Sequence, residues 1–389
     1  MWRFGNDGRE RFRDDVRYDL QSVTDGFAPK LHEGEDDTRL LERICAAYIA
    51  AARDQHGAPA AYNATAAWEQ VRHRSLGPVR RALIQRDTEA LGKMYRNFFR
   101  DPCSAGILAP PNGMYKAYFG TRIKDMYRRF YLAHVLWRLD YWKTLTNDEF
   151  TLRDLRGPGV GNPFGLILEG THIAVGSEYA HYCAYRVAAL LPHRESSVAE
   201  IGGGFGAMAY FLLRDHRSTA YLKFDVPETV ALCSYYLMKS FPQLNFLLYG
   251  EEELSQKALD NADVALLPMY ALELLPSGSV DVTFSSHAFA HTSPEALAEY
   301  LENIDRMTRY SFLYMGNEKT TTAISDDIEK KPFTLLDSRP SGWHSHKVSG
   351  AGIGGAAGLA ASTTFEQSFT RTAAKGSSPV APPVETRVS

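Results

Sequence analysis

The run Val198-Ala199-Glu200-Ile201-Gly202-Gly203-Gly204-Phe205-Gly206 holds the residues best spaced for chemistry: a short apolar segment, four glycines, then the helical pattern AMAYFLL. Glycine lets a backbone turn sharply and lets a ligand approach the main chain, and the helix N-terminus beyond offers free N–H groups. A nucleotide-like ligand fits such a turn, although glycine turns also join strands to helices in α/β proteins that bind nothing there. Glu200 adds a carboxylate within the strand, suited to a cationic or amino-acid-bearing ligand. The next strand, Tyr221-Leu222-Lys223-Phe224-Asp225, ends in an acid 19 residues after Gly206 that can accept from two ribose hydroxyls. Gly202, Gly204 and Ala207 also satisfy the GxGxxA spacing of dinucleotide sites, so an NAD(P)-dependent oxidoreductase stays open.

Two histidines follow the strand Asp281 to Ser285, in Ser286-His287-Ala288-Phe289-Ala290-His291. The carboxyl end of such a strand opens onto the ligand crevice, and imidazole takes up a proton near neutral pH. Either histidine could instead cap the helix opening at Pro294 or satisfy a buried carbonyl. Glu178, Tyr179 and His181 could close the pocket, with an ordinary polar helix face as the simpler reading. His344-Ser345-His346 reads as an exposed loop, and Asp326, Asp327 and Glu329 as a solvated helix start, so no metal site is assigned. Arg72, Arg74, Arg80, Arg81 and Arg86 could meet a phosphorylated acceptor, but they read more simply as a solvated face.

AEIGGGFG, then FDVPET, then SVDVTFSSHAFAHTSPE together resemble the S-adenosylmethionine-dependent methyltransferases of Rossmann-like fold. More narrowly, FDVPET-VALCSYYL is similar to a bacterial family of sugar O-methyltransferases, over roughly residues 165 to 320. The resemblance implies that Glu200, Gly202, Gly203, Gly204 and Gly206 hold the methionine end of S-adenosylmethionine and that Asp225 binds its ribose hydroxyls. It also implies that Met269, in Pro268-Met269-Tyr270, or the Tyr249-Gly250 turn flanks the adenine, with Ser286 beside the cofactor. A catalytic His in relatives falls near His291, but the alignment slips by one residue and leaves His287 in play. The acceptor it implies is a hydroxyl of a sugar or glycan. A methyltransferase-like partner without catalysis is the remaining alternative.

The elements that must position these residues follow from periodicity. Short apolar runs at 198–201, 220–225, 244–249, 263–267, 280–285 and 310–316 alternate with helical stretches, notably 228–240 and 294–308, which is the pattern of βα units around a parallel sheet. The runs at 244–249 and 263–267 compete for one place in it. Upstream, Leu41, Ile44, Cys45, Tyr48 and Ile49 mark a helix behind Thr38. A helix around Trp68 and one opening at Pro78 that carries Val79 through Phe98 follow. Ile123, Met126, Tyr127, Phe130, His134, Trp137 and Tyr141 form a stripe over more than five turns. The aromatic residues Tyr115, Tyr118, Phe119, Tyr127, Phe130, Tyr131, Trp137, Tyr141 and Trp142 could stack on sugar faces, but read more simply as core. The fold predicted is α/β: a Rossmann-like doubly wound methyltransferase sheet preceded by an all-helical N-terminal domain. Its parts are a charged arm at 1–37 that is mobile or only loosely docked, a helical cap, acceptor or dimerisation domain at 38–160, a cofactor domain at 161–337, and a Gly/Ala/Ser-rich loop or tail at 338–389 with room for one edge strand in TTFEQSFTRT.

Composition narrows the class. The chain has 389 residues, 44% of them hydrophobic, enough for a large core. Lys plus Arg number 43 against 46 Asp plus Glu, a net charge of −3 that gives no footprint for nucleic acid. Cys45, Cys103, Cys183 and Cys233 form no CxxC pair and suit a reducing cytoplasm. No stretch reaches the ~18 apolar residues of a membrane span, and the charged N-terminus lacks a signal peptide's apolar region. A homodimer is left open.

Overall fold

The apolar runs after Ser197 become strands buried on both faces, which is why they read as continuous rather than alternating. The computed structural model describes residues 2–29, 36–108, 125–290, 292–343 and 364–372. Strands β1 (Gly165–Leu168) and β2 (Thr171–Ala174) form a separate hairpin. The main sheet contains β3 (Ser197–Gly202), β4 (Ala220–Asp225), β5 (Phe246–Leu248), β6 (Val264–Pro268), β7 (Val280–Ser286), β8 (Thr308–Asn317), β9 (Phe333–Ser341) and β10 (Thr364–Arg371). Their order is β5-β6-β4-β3-β7-β8-β10-β9, parallel from β5 to β8, with β10 antiparallel to both its neighbours.

The two competing runs both find a place. β6 sits inside against β4, and the three-residue β5 lies outside it at the edge. The segment TTFEQSFTRT forms β10, but not as an edge strand: it lies between β8 and β9 with Phe369 buried. Its buried Glu366 accepts from the Tyr182 hydroxyl (2.7 Å) and from Arg339 (2.8 Å), and pairs with Arg186. β9 therefore carries the sheet across the expected boundary at residue 337. The glycine-rich run SGAGIGGAAGLAAS and His344-Ser345-His346 lie outside the described residues.

The region before the hairpin is helical among the described residues, yet it is not a domain with its own core. Phe12, Leu41, Tyr48, Leu83, Phe98 and Trp142 belong to one apolar cluster with Val198, Tyr221, Phe284 and Leu313, so these helices cover one face of the sheet. A second cluster, with Ile201, Phe224, Leu267 and Phe312, fills the other face. A buried acid ties the two regions together: Asp37, just before the helix Thr38–Asp54, accepts a hydrogen bond from the Tyr235 hydroxyl (3.0 Å) and pairs with Lys239 (2.8 Å), both on the helix Pro227–Ser240. The helix expected to run on from Pro78 breaks into Gly77–Gln85 and Thr88–Tyr95, because Arg86 turns left-handed (φ 54°) and the Asp87 side chain accepts from Ala90 N–H (3.0 Å) as a new cap. The helix Asp125–Leu145 buries residues on more than its expected stripe, Leu132, Val135, Leu136 and Trp142 among them. No helix among the described residues is long and apolar enough to cross a membrane.

The described part of the charged arm, residues 2–29 and 36–37, is docked. Its helices Trp2–Arg11 and Leu20–Gly26 bury Phe12, Val23 and Phe27, and the Phe12 ring meets Trp137 edge-on at 5.6 Å. Three apolar residues among many charges suffice, since each faces the core while Arg and Asp face water. We expect Phe12→Ala to destabilise the protein by about 3 kcal/mol in urea unfolding, the usual cost of an emptied aromatic site. Unchanged stability would mean that the arm is held loosely after all.

Candidate functional site

Register brings four strand ends together. Gly202 of β3 pairs with Ser286 of β7, Ile201 with Phe224 of β4, and Asp225 of β4 with Pro268 of β6. From β3 the chain places β4, then the edge strand β5 and then β6 between them on one side, and returns to place β7 and β8 on the other. The crevice of an open α/β sheet lies at such a reversal, outside the carboxyl ends of the strands.

All four glycines of the turn at its centre are left-handed: φ is 87° at Gly202, 91° at Gly203, 60° at Gly204 and 93° at Gly206. A Cβ on Gly203 would overlap the Glu200 carboxylate. One on Gly202 would stand 2.6 Å from Ala288 Cβ, and one on Gly206 2.8 Å from Cys233 Sγ. A Cβ on Gly204 would be 3.1 Å from the Ile107 carbonyl oxygen. The turn thus folds down over Glu200, and the segment around Ile107, from the helical region, covers it.

Beneath the turn lies a row of buried polar groups. Glu200, 1% exposed, accepts a hydrogen bond from the Tyr221 hydroxyl. Lys223 is wholly buried; its Nζ donates to the Gly202 carbonyl (2.5 Å) and pairs with Asp225 Oδ2 (3.2 Å). Asp225 Oδ1 accepts from Val226 N–H at 2.8 Å. Burial pushes both carboxyls up, against the pull of Lys223. Burial pulls the Lys223 ammonium down, but Asp225 foremost among its neighbours more than restores it. Two carboxylates against one ammonium leave this floor with one net negative charge when all three are ionised. The row is legible in hindsight: Tyr221, Lys223 and Asp225 alternate onto one face of β4, and a lysine within an otherwise apolar strand is its signal.

The rim is built from other predicted residues. Met269, half-buried, opens a short 3₁₀ helix beside Asp225; next to it the Tyr270 hydroxyl donates to Ala51 carbonyl (2.9 Å), and its ring meets Tyr249 edge-on. Ser286 shares a 2.7 Å hydrogen bond with the Tyr179 hydroxyl. His287, next in line, has a left-handed backbone (φ 58°), uncommon for a residue with a side chain, and donates its N–H to the Met315 carbonyl (2.8 Å). Burial lowers its imidazole to about 4, so it is neutral at pH 7. His291 lies outside the described residues.

Several groups fall elsewhere. Glu178 and His181 are not an exposed polar face: Glu178 is buried in an ion pair with Arg138, and His181 accepts from Trp142 Nε1 (3.2 Å) among aromatic rings. Burial lowers His181 to about 4. Arg72 and Arg80 are not free cations, for both pair with buried Glu228 (3.0 and 3.1 Å). Asp326 and Asp327 sit at the end, not the start, of the helix Glu318–Ile328, where Asp327 pairs with Lys330. Among the described residues no three His, Cys, Asp or Glu side chains gather as a metal-binding group.

No family model and no curated protein matches the chain. Solved structures that resemble it include the M1A22 tRNA methyltransferase of B. subtilis, at 12% identity and a TM-score of 0.32 over 49% of this chain and 65% of that one. Magnesium protoporphyrin IX methyltransferase from Synechocystis PCC 6803, solved with bound SAM, matches at 12% identity and a TM-score of 0.34 over 62% and 97%. The pyocyanin biosynthetic protein PhzM matches at 13% and 0.32 over 50% and 56%. At such distance nothing about substrate passes from them to this chain.

The turn makes a differential prediction. Gly203→Ala should destabilise the protein by about 3 kcal/mol or more, since φ 91° is strained for a residue with a Cβ and the new methyl would push the buried Glu200 carboxylate off its hydrogen bond from Tyr221. Gly204→Ala should cost less, about 1–2 kcal/mol, because its main penalty is the left-handed backbone (φ 60°) and the nearest atom, the Ile107 carbonyl oxygen, is 3.1 Å away. Urea unfolding of the two variants reads the difference; equal costs would contradict the packing described.

Proposed function

We propose that the chain is an S-adenosylmethionine-dependent methyltransferase acting on a hydroxyl oxygen, with a sugar as acceptor. The observation that carries this reading is the left-handed glycine turn folded over Glu200 at the sheet's reversal point, with Asp225 at the next strand's end. With its acids ionised, the floor's net negative charge suits a ligand bearing a sulfonium and an ammonium. It opposes the pyrophosphate of NAD(P), which weighs against the GxGxxA reading. Asp225 keeps carboxylate capacity toward the crevice for two ribose hydroxyls, its side chain being 12% exposed. The glycine turn supplies backbone N–H groups for the methionine end, and Met269 an apolar wall for the base. The bound cofactor would supply an electrophilic methyl group. His287, neutral and next to Ser286 at the carboxyl end of β7, is the described group fitted to accept the hydroxyl proton. Support for a sugar acceptor rests on the FDVPET-VALCSYYL likeness alone.

Calorimetry with S-adenosylhomocysteine and with NAD tests the cofactor: binding of the first and not the second is expected. Asp225→Ala should weaken that binding about 100-fold, ~3 kcal/mol, through loss of charged hydrogen bonds to both hydroxyls. Methyl transfer from labelled cofactor to a panel of sugars and glycans tests the acceptor, and silence across the panel with the cofactor bound would remove the sugar.

The base is tested by pH. Only neutral imidazole accepts a proton, so the rate should rise through a group near 4 and stay flat from pH 6 to 8, and His287→Ala should lower kcat by on the order of 10²-fold or more at unchanged cofactor affinity. A limb near 6.5 that survives in His287→Ala would point to another base, His291 first.

A further inference from the structure

We propose that Lys223 is the positioning residue of the cofactor site: it keeps Asp225 ionised and aimed at the crevice. This rests on the reading of Asp225 as the ribose acid. Three observations carry it. Lys223 has no exposed surface, so its charge serves only its neighbours. Its Nζ joins the Gly202 carbonyl at the start of the glycine turn to Asp225 Oδ2 at the end of β4, 2.5 and 3.2 Å away, and so ties together the two cofactor-facing segments. Its partner across the sheet is Glu200, the other buried carboxylate, which faces the same side because paired residues in a parallel ladder share a face.

The other groups around Asp225 cannot replace it. Glu200 is an acid, and the Tyr221 hydroxyl is already given to Glu200. Cys233, on the helix Pro227–Ser240, has a thiol that burial pushes up to about 12. Tyr300, on the helix Pro294–Met307, gives its hydroxyl to the Ala61 carbonyl at 3.2 Å. On the β6 side, Leu266 and Pro268 pair with Lys223 and Asp225 and carry no charge. Lys223 is therefore the one cation among the described groups facing Asp225.

Removing that charge leaves Asp225 buried beside a second carboxylate, which drives its protonation toward neutral pH. A protonated acid is a poorer acceptor for ribose hydroxyls, so cofactor affinity should become pH-dependent, recovering as pH rises and Asp225 ionises. The experiment measures S-adenosylhomocysteine binding by the full chain from pH 6 to 8.5 and takes the ratio of variant to parent Kd, which cancels titration of the ligand itself. Lys223→Met is expected to bind about 100-fold more weakly at pH 6, with the deficit shrinking about tenfold or more by pH 8.5. Lys223→Met combined with Asp225→Asn should bind weakly at every pH, which places the titration on Asp225. If Lys223→Met is poorly folded, Lys223→Met with Glu200→Gln relieves the carboxylate repulsion and, measured against Glu200→Gln alone, should still show a deficit that shrinks as pH rises, centred at lower pH because burial alone then raises Asp225. A deficit that does not change with pH in a folded variant, or affinity equal to the parent's, would overturn the assignment. Failure of both variants to fold would also overturn it, making Lys223 a requirement of the fold rather than of the site. A parent protein that does not bind S-adenosylhomocysteine at all would remove the methyltransferase reading itself.

Discussion

A carboxylate buried near the carboxyl end of a parallel strand has little water to compensate it, so its neighbours must do so. Glu200 is in that position, and much of the crevice follows from accommodating it. Tyr221 donates to it from the adjacent strand, and Lys223 faces it from the paired position. The backbone above must then pass close over the carboxylate, which only a residue without Cβ allows, hence Gly203. Once the chain is committed to that path, Gly206 must clear Cys233 and Leu237 of the neighbouring helix. The glycines answer packing demands on both sides of the turn as well as any demand from a ligand.

The helical region completes the crevice rather than standing beside it. Ile107 lies over Gly204, the Tyr270 hydroxyl reaches Ala51, and Asn303 donates to the Tyr62 hydroxyl at 2.9 Å. Ion pairs on two buried carboxylates fix this arrangement: Arg72 and Arg80 on Glu228, and Lys239 on Asp37. Such pairs add little net stability over apolar packing, yet leaving one partner alone costs several kcal/mol. Their contribution here is therefore position. They set where the helices lie over the sheet, and so where the rim of the crevice stands relative to the turn, while the shared apolar core supplies the cohesion.

What the sequence alone determined is the part governed by local rules. Strand after strand showed as an apolar run, the helix Pro294–Met307 announced itself through Ser293-Pro294-Glu295, and Glu200, the glycines and Asp225 stood out because their types and spacing answer to one turn. The tertiary structure decided what depends on partners distant in sequence. The arm looked solvated because its charges outnumber Phe12, Val23 and Phe27, and only the docking surface shows that these three suffice. The Arg72 and Arg80 cluster looked like a free cationic face because Glu228 lies more than 140 residues away along the chain. β10 passed for an edge strand because strand order in a sheet is not written in any one strand. Lys223 was in plain view in β4, but its meaning depends on two carboxylates and a carbonyl that the fold brings within hydrogen-bonding reach or across one ladder rung. A charged side chain in a strand can face water or a buried partner, and period-2 alternation gives its face without saying what covers that face.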